Sequence, residues 1–391
     1  MRAWLPIGML LGLSASAQTW TQLPDFPGSA RDDAASFTVG EWVCVGTGMD
    51  AGFQLTSDWY RYNVLTGSWA SMASLPAAAR QYAVGCGLEG HGYLFGGLSS
   101  SGPLNDLWRY DPVADVWQEL APLPAPGRYA ATVISVSDAL VICTGMLDGG
   151  AATSEAWHYA PASDTWTMAA SVPGPERHRA TSIGQLIVGG ADTAYAPMSD
   201  AYRYDPANDL WTAVAPLPAP RFAADGVEAL VIGGASTTST AHADCWWYDE
   251  QNDDWTSVSL PPFAGGVRRG GVTGTNLVLM DAFMGFYGTG SDNVQRYADW
   301  WRFDMPVGLM ENATGAVRLY PVPANDLLTV EMANGTEPRL LHVLNAQGME
   351  VMRVATKAQR STVATAHLAN GTYIIRSEGA QPWQRRFVVM H

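Results

Sequence analysis

Four consecutive residues concentrate the acid–base chemistry of this chain: Glu176, Arg177, His178 and Arg179. A carboxylate, an imidazole and two guanidiniums in one loop can hold an anion and move protons on it, provided they face one cavity. A charged quartet of this kind is also what a solvated turn looks like. No catalytic set is assigned, and Glu176 and His178 are the candidates it leaves. Arg177 belongs to a column with Arg31, Arg80, Arg128, Arg221 and Arg268, each standing where an apolar run begins. Six guanidiniums converging on one axis, with Arg179 beside them, would form a positive ring suited to a carboxylate or sulfate. The competing expectation is that each arginine braces the fold through backbone carbonyls. A second column, Arg61, Arg109, Arg203 and Arg302, falls inside strands and reads as structural. The third set is aromatic. Phe283, Phe286, Tyr287 and Tyr297 lie in a 20-residue stretch from Met280 to Asp299, where the equivalent stretch from Gly96 to Asp106 has 11. Those rings either stack on a sugar or partner side chain, or plug a seam.

What must position these residues is a repeat. Asp106-Leu107-Trp108-Arg109-Tyr110-Asp111 leads to Trp117, and relatives of this stretch lead to Trp69, Trp166, Trp211 and Trp255. The tryptophans are 48, 49, 45 and 44 residues apart. A sixth copy, Asp299-Trp300-Trp301-Arg302-Phe303-Asp304, has Met310 at the tryptophan position. Self-similarity at such a period means stacked supersecondary units. In the second unit, Arg80–Leu88 and His91–Phe95 read as strands, Gly96-Gly97 as a break, and Leu107–Tyr110 and Val116–Leu120 as two more strands. The arginine, the glycine pair, the Tyr-Asp and the spaced tryptophan resemble the kelch repeat, which implies an all-β fold, a β-propeller with one four-stranded blade per repeat. Six blades are expected over residues 18–304. Trp20-Thr21-Gln22-Leu23 supplies the missing fourth strand of blade six.

Residues 1–17 read as a secretory signal: Arg2, an apolar stretch from Leu5 to Leu13, then Ala15-Ser16-Ala17. The stretch is too short to span a bilayer, and no membrane span is expected. Residues 305–315 read as a linker. From 316 to 391 eight basic residues face five acidic ones, so the chain's net charge of −15 leaves about −18 on the rest. An acidic body disfavours nucleic acid and anionic membrane surfaces. Cys44, Cys86, Cys143 and Cys245 match no zinc or CxxC spacing and read as free thiols in blade cores, with disulfides permitted by export. No P-loop, G-x-S-x-G or H-E-x-x-H pattern appears, and neither a cofactor nor a metal is expected.

The tail alternates as Val317–Tyr320, Leu327–Met332, Leu340–Leu344, Glu350–Val354, Thr372–Ser377 and Arg385–Met390, a small immunoglobulin-like β-sandwich. Leu319-Tyr320-Pro321-Val322-Pro323, Leu344-Asn345-Ala346-Gln347-Gly348 and Leu368 to Arg376 resemble the C-terminal sorting domain of the type IX secretion system. Val322 departs from that family's Asn. The resemblance implies passage through the periplasm of a Gram-negative bacterium to its surface or beyond, with the secretion machinery as partner. The tail is an address and says nothing of what the propeller does; for the propeller, the kelch resemblance implies a protein- or glycan-binding module on its loop face. The alternative is a carbohydrate-active enzyme, since some six-bladed kelch proteins are sialic acid mutarotases.

Overall fold

The computed structural model describes residues 19–136, 138–258, 269–274, 282–292, 294–306, 317–320, 324–332, 339–345, 350–356, 360–369, 371–377 and 384–389. The expected signal, most of the expected linker and Arg268 lie outside them. Among the described residues the regular structure is strand throughout, apart from one 3-10 turn at Asp148–Gly150.

Six antiparallel sheets follow one another along the chain, five of four strands and the second of five, its extra strand being Arg80–Gln81. The first is built from Ala35–Val39, Trp42–Gly46, Trp59–Asn63 and Ser68–Ser71. Its first strand neighbours Val84–Leu88 of the second sheet, and the series continues through Thr132–Val136, Thr181–Ile183, Asp225–Val227 and Val272–Gly274. The last of these lies beside Ala35–Val39 again, so the sheets close a ring as the blades of a propeller. The sixth sheet takes its outer strand from the other end of the domain. Thr19–Leu23 pairs antiparallel with Trp300–Pro306, setting Trp20 opposite Phe303 with ring centroids 4.8 Å apart. Closure removes the open sheet edges that would template aggregation.

The repeated residues explain the stacking of blade on blade. Each fourth-strand tryptophan donates its indole N–H to a carbonyl that follows the preceding blade: Trp69 to Pro24, Trp117 to Ala73, Trp166 to Ala121, Trp211 to Ala170 and Trp255 to Ala215. The tyrosine of the motif works beside it. Tyr110 donates to Asp115, whose carboxylate also accepts the Ala73 amide, and the same arrangement joins Tyr204, Asp209 and Ala170. Between these polar staples the second strands are apolar on both faces, because a neighbouring blade covers each. Val141, Ile187 and Val231 are fully buried. Burying a side chain of this size contributes roughly 1.5–3 kcal/mol.

Blade two departs from the expected strand bounds in an informative way. Arg80–Gln81 pairs separately with Leu98 and Ser99, and the first strand proper begins at Val84. Tyr82, at φ 56°, turns the chain between them. The second strand does not stop at Gly96-Gly97 but runs on to Ser99 through a register shift there. The glycine pair is a bulge, which its positive φ angles of 59° and 103° permit. The four cysteines are free thiols. Burial pushes the Cys86 and Cys143 thiols up to about 12.

The tail forms two sheets. Val317–Tyr320, Leu327–Met332 and Arg360–Ala364 make one; Glu350–Thr356, Arg339–Leu344, Gly371–Ser377 and Gln384–Val389 make the other. Leu328, Val330 and Val363 from the first share a core with Leu341, Val343, Ile375 and Phe387 from the second. Arg360–Ala364 was not expected as a strand. Its alternation is masked by Ser361, Thr362 and Ala364, and Val363 is its buried residue.

Candidate binding site at the channel mouth

The described arginines of the column are buried within their own blades. Arg31, Arg80, Arg128, Arg177 and Arg221 are at most 1% exposed. Each pairs with the acidic residue that opens the strand-three motif of its own blade: Asp58, Asp106, Glu155, Asp200 and Asp244, at 2.6–2.8 Å. Four of the five also donate to the carbonyl at the end of strand two, those of Thr47, Gly96, Gly189 and Gly233. Burial alone would raise the Asp244 carboxyl, yet hydrogen bonds from Arg221 and Trp246 hold it below the ordinary range. The positive ring expected from the sequence is therefore not what these five make. Their charge is matched inside the blades, and they brace the fold. Arg268 lies outside the described residues.

Two places after each arginine the chain does something else. Asp33, Tyr82, Ala130, Arg179, Ala223 and Gly270 all have φ between 51° and 58°: 54°, 56°, 51°, 54°, 51° and 58°. Their backbones bond head to tail around the axis. Tyr82 N–H donates to Asp33 O at 2.9 Å, Ala130 to Tyr82 at 2.9 Å, Arg179 to Ala130 at 2.9 Å, Ala223 to Arg179 at 2.9 Å, Gly270 to Ala223 at 3.1 Å, and Asp33 to Gly270 at 2.8 Å. Six residues, one per blade, thus form a closed collar. Beyond it lies a cavity of about 630 Å³, lined by Ser36, Gly85, Ser182, Gly226 and Thr273 among others.

Three of the collar side chains are large, and they converge. Arg179, from blade four, reaches across to blades one and two. Its guanidinium lies 4.3 Å above the Tyr82 ring, donates to the Tyr82 hydroxyl at 2.7 Å, and stands 4.0 Å from the Asp33 carboxylate. Its Nε has no hydrogen-bond partner among the described residues. Tyr129 packs 5.8 Å from Tyr82, and Tyr195 lies 5.9 Å from the guanidinium. Tyr195 in turn contacts His178 and Phe222. Burial pushes the Asp33 carboxyl up to about 7, opposed by Arg179 and reinforced by Asp32. Burial also raises the Tyr82 hydroxyl, with Asp33 adding to it. For Arg179, burial is outweighed by Tyr82, Asp33 and Tyr195, which keep it protonated.

The other sequence candidates fall elsewhere. Glu176 is solvent-exposed and His178 is fully buried, its Nε2–H donating to the Asp192 carbonyl at 3.1 Å. Burial and the nearby Arg179 push the His178 imidazole down to about 4, so it is neutral at physiological pH. Phe286 and Tyr287 are 1% and 0% exposed and belong to the seam of blade six, where Tyr287 donates to Asp225 at 3.0 Å. They are not a stacking surface. Nothing is described of the Phe283 side chain. Among the described residues the exposed large ring is Phe53, 73% exposed, with the Arg296 guanidinium 4.7 Å from its centroid. Sequence reasoning took Asp33 only as an acid that neutralises the arginine ring, and it passed over Tyr82, Tyr195 and Phe53. A signal was present for the last pair: both follow an aspartate by three residues, Asp192 and Asp50, whose carboxylates cap the same turn. Among the described residues no cluster of metal-ligating side chains occurs, and no helix is long and apolar enough to cross a membrane.

A model of the KLHDC2/KLHL20/DRC7 Kelch-repeats domain matches residues 9–184, and one of the secretion system C-terminal sorting domain matches residues 318–390. No curated protein matches the chain. Among solved structures, that of YjhT superposes with a TM-score of 0.59, covering 71% of this chain and 95% of that one at 16% identity. This likeness shows the fold.

Proposed function

Taking as premise that the chain is a kelch-repeat propeller ending in a type IX secretion sorting domain, we propose that it is a secreted or cell-surface binding module that takes a glycan or protein ligand at the channel mouth. The tail marks the chain for secretion or surface display. Removing residues 316–391 is expected to leave the propeller inside the cell envelope, measured by surface labelling.

One observation carries the choice of site. Ala130, Ala223 and Gly270 occupy the collar position without a functional side chain, so the scaffold does not need one there. Asp33, Tyr82 and Arg179 place a carboxylate, a phenol and a guanidinium at the same position, in a backbone region that costs a bulky residue of order 1–3 kcal/mol. They meet over the axis, ringed by Tyr129, Tyr195 and Phe222. Function on loops carried by a rigid scaffold is the general pattern. The test is an array of glycans and peptides probed with the full secreted chain. Arg179→Ala should abolish whatever signal the wild type gives, while Arg109→Ala, on a strand of blade two, should leave it intact. Equal signals from wild type and Arg179→Ala would remove the site from the mouth.

A second reading, a sugar-acid mutarotase, is favoured by Asp33 itself. A carboxyl pushed up to about 7 beside a phenol is poised for proton transfer near neutral pH. Accelerated anomer exchange in sugar-acid NMR spectra, lost in Asp33→Asn, would establish it.

A further inference from the structure

The mouth holds an ion pair that is made but not closed. Arg179 and Asp33 face each other at 4.0 Å, beyond direct hydrogen-bond distance, with side chains 17% and 12% exposed. Each of the five described brace arginines, by contrast, meets its carboxylate at 2.6–2.8 Å. Arg179 spends one Nη on the Tyr82 hydroxyl, and its Nε is without a protein partner among the described residues. Asp33, in blade one, has a seat of its own. That seat is specific: a Cβ placed on Gly270 would stand 2.7 Å from the Asp33 Oδ1, so the carboxylate rests over the one collar residue with no side chain.

We propose that Asp33 is a resident counter-ion that a carboxylate ligand replaces on Arg179, and that Asp33 takes up a proton from solvent as it is replaced. This rests on the mouth being the binding site. The ligand class is an acidic sugar of the uronate type: its carboxylate meets the Arg179 fork, and its ring meets Tyr82, Tyr129 and Tyr195. Two anions cannot share the one guanidinium fork of Arg179 in a partly enclosed mouth unless one is neutralised. Asp33 is the one already close to protonation. The groups facing it are Arg179 across the axis, Asp32 next in the chain, the Tyr82 hydroxyl and Arg269. Asp32 is itself engaged by Arg296 at 2.5 Å, and Arg269 donates to the Thr238 carbonyl at 2.8 Å. Neither is therefore the pair that an incoming carboxylate opens. Below about pH 6 Asp33 is mostly protonated before binding, so affinity should be flat. Above about pH 7 each binding event must bring a proton, and affinity should fall by up to tenfold per pH unit.

The experiment is calorimetry of the full chain with glucuronate, and with glucose as the neutral match, at pH 6, 7 and 8. At pH 8 it is repeated in two buffers of different ionisation enthalpy. Expected results are binding of glucuronate at least tenfold tighter than glucose, and proton uptake approaching one at pH 8. Arg179→Gln should lose at least tenfold in affinity. Asp33→Asn, which keeps the shape and tolerates the left-handed backbone, should bind glucuronate with no proton uptake and no fall towards pH 8. Glucose binding as well as glucuronate, with Arg179→Gln still impaired, would leave the mouth as the site and overturn the exchange. Proton uptake unchanged in Asp33→Asn would do the same. Absence of glucuronate binding to the wild type overturns the inference, and if the array is also unchanged by Arg179→Ala, the site falls with it.

Discussion

Two layers of the propeller, two residues apart in every repeat, behave in opposite ways. In the brace layer the residue is arginine in every repeat, fully buried where described, and matched by an acid from the same blade. In the collar layer the backbone repeats, with six positive φ angles and a closed cycle of bonds, while the side chains differ in all but the two alanines. Constancy marks what the blade needs in order to exist. Variation on a constant backbone marks what can be assigned to a ligand. An arginine taken out of context looks equally functional in either layer; its neighbour across the structure decides.

The contrast breaks first at the braces. Arg80→Ala would leave Asp106 without its partner in a largely buried position, and such losses cost about 3–5 kcal/mol. A fall of that size in the free energy of unfolding by denaturant is expected. A change below about 1 kcal/mol would mean that the brace layer is dispensable. Next comes closure. Deleting 19–23 exposes the edge of Trp300–Pro306 and forfeits the Trp20–Phe303 contact, costing on the order of 2–3 kcal/mol for the aromatic burial alone. Lower melting and self-association by light scattering should follow. An unchanged monomer would show that the sixth blade does not depend on its N-terminal strand.

The collar side chains should be cheap or costly to the fold depending on pH. Asp33 has its carboxyl raised from 3.8 to about 7 in the folded chain, so folding favours its protonated form. That contribution is complete below about pH 4 and is lost as pH rises through 7. Asp33→Asn should therefore flatten the decline in melting temperature between pH 4 and 7, and be more stable than wild type at pH 8. Equal slopes would place Asp33 outside the titration. The smallest effect is expected at Ala130. Its φ of 51° suits glycine, so Ala130→Gly should gain up to about 1 kcal/mol in chemical denaturation, with no change at the mouth.

Much of this was legible without coordinates. The spaced tryptophans located the blades because each must reach the preceding blade at one fixed point, and a fixed reach demands a fixed spacing. The closing strand was legible as a fourth strand lacking three others. The direction of Arg31 or Arg177 was not, because an arginine at the start of a strand has the same sequence whether it points to the axis or into the sheet. The partner was available: an acid 27, 26, 27, 23 and 23 residues later, in the stretch that defines the repeat. Tyr82 was hidden for the opposite reason, and Asp33 and Arg179 were visible only as neighbours of the arginine column. They share no residue type, so a search for recurrence discards them. Phe286 and Tyr287 misled because aromatic density in a long loop does not distinguish a stacking surface from a filled seam.

The collar has an electrical consequence. Its six peptide bonds follow one another like the links of a cyclic hexapeptide, each N–H aimed along the circumference at the next carbonyl. Dipoles laid tangentially around a circle sum to almost nothing along the axis, unlike those of a helix, which add from end to end. The hoop therefore contributes next to no field of its own to an ion arriving down the axis. Whatever sign the aperture presents is written by the few side chains standing on it, so a single substitution at Asp33 or Arg179 can reverse that sign while the hoop remains intact.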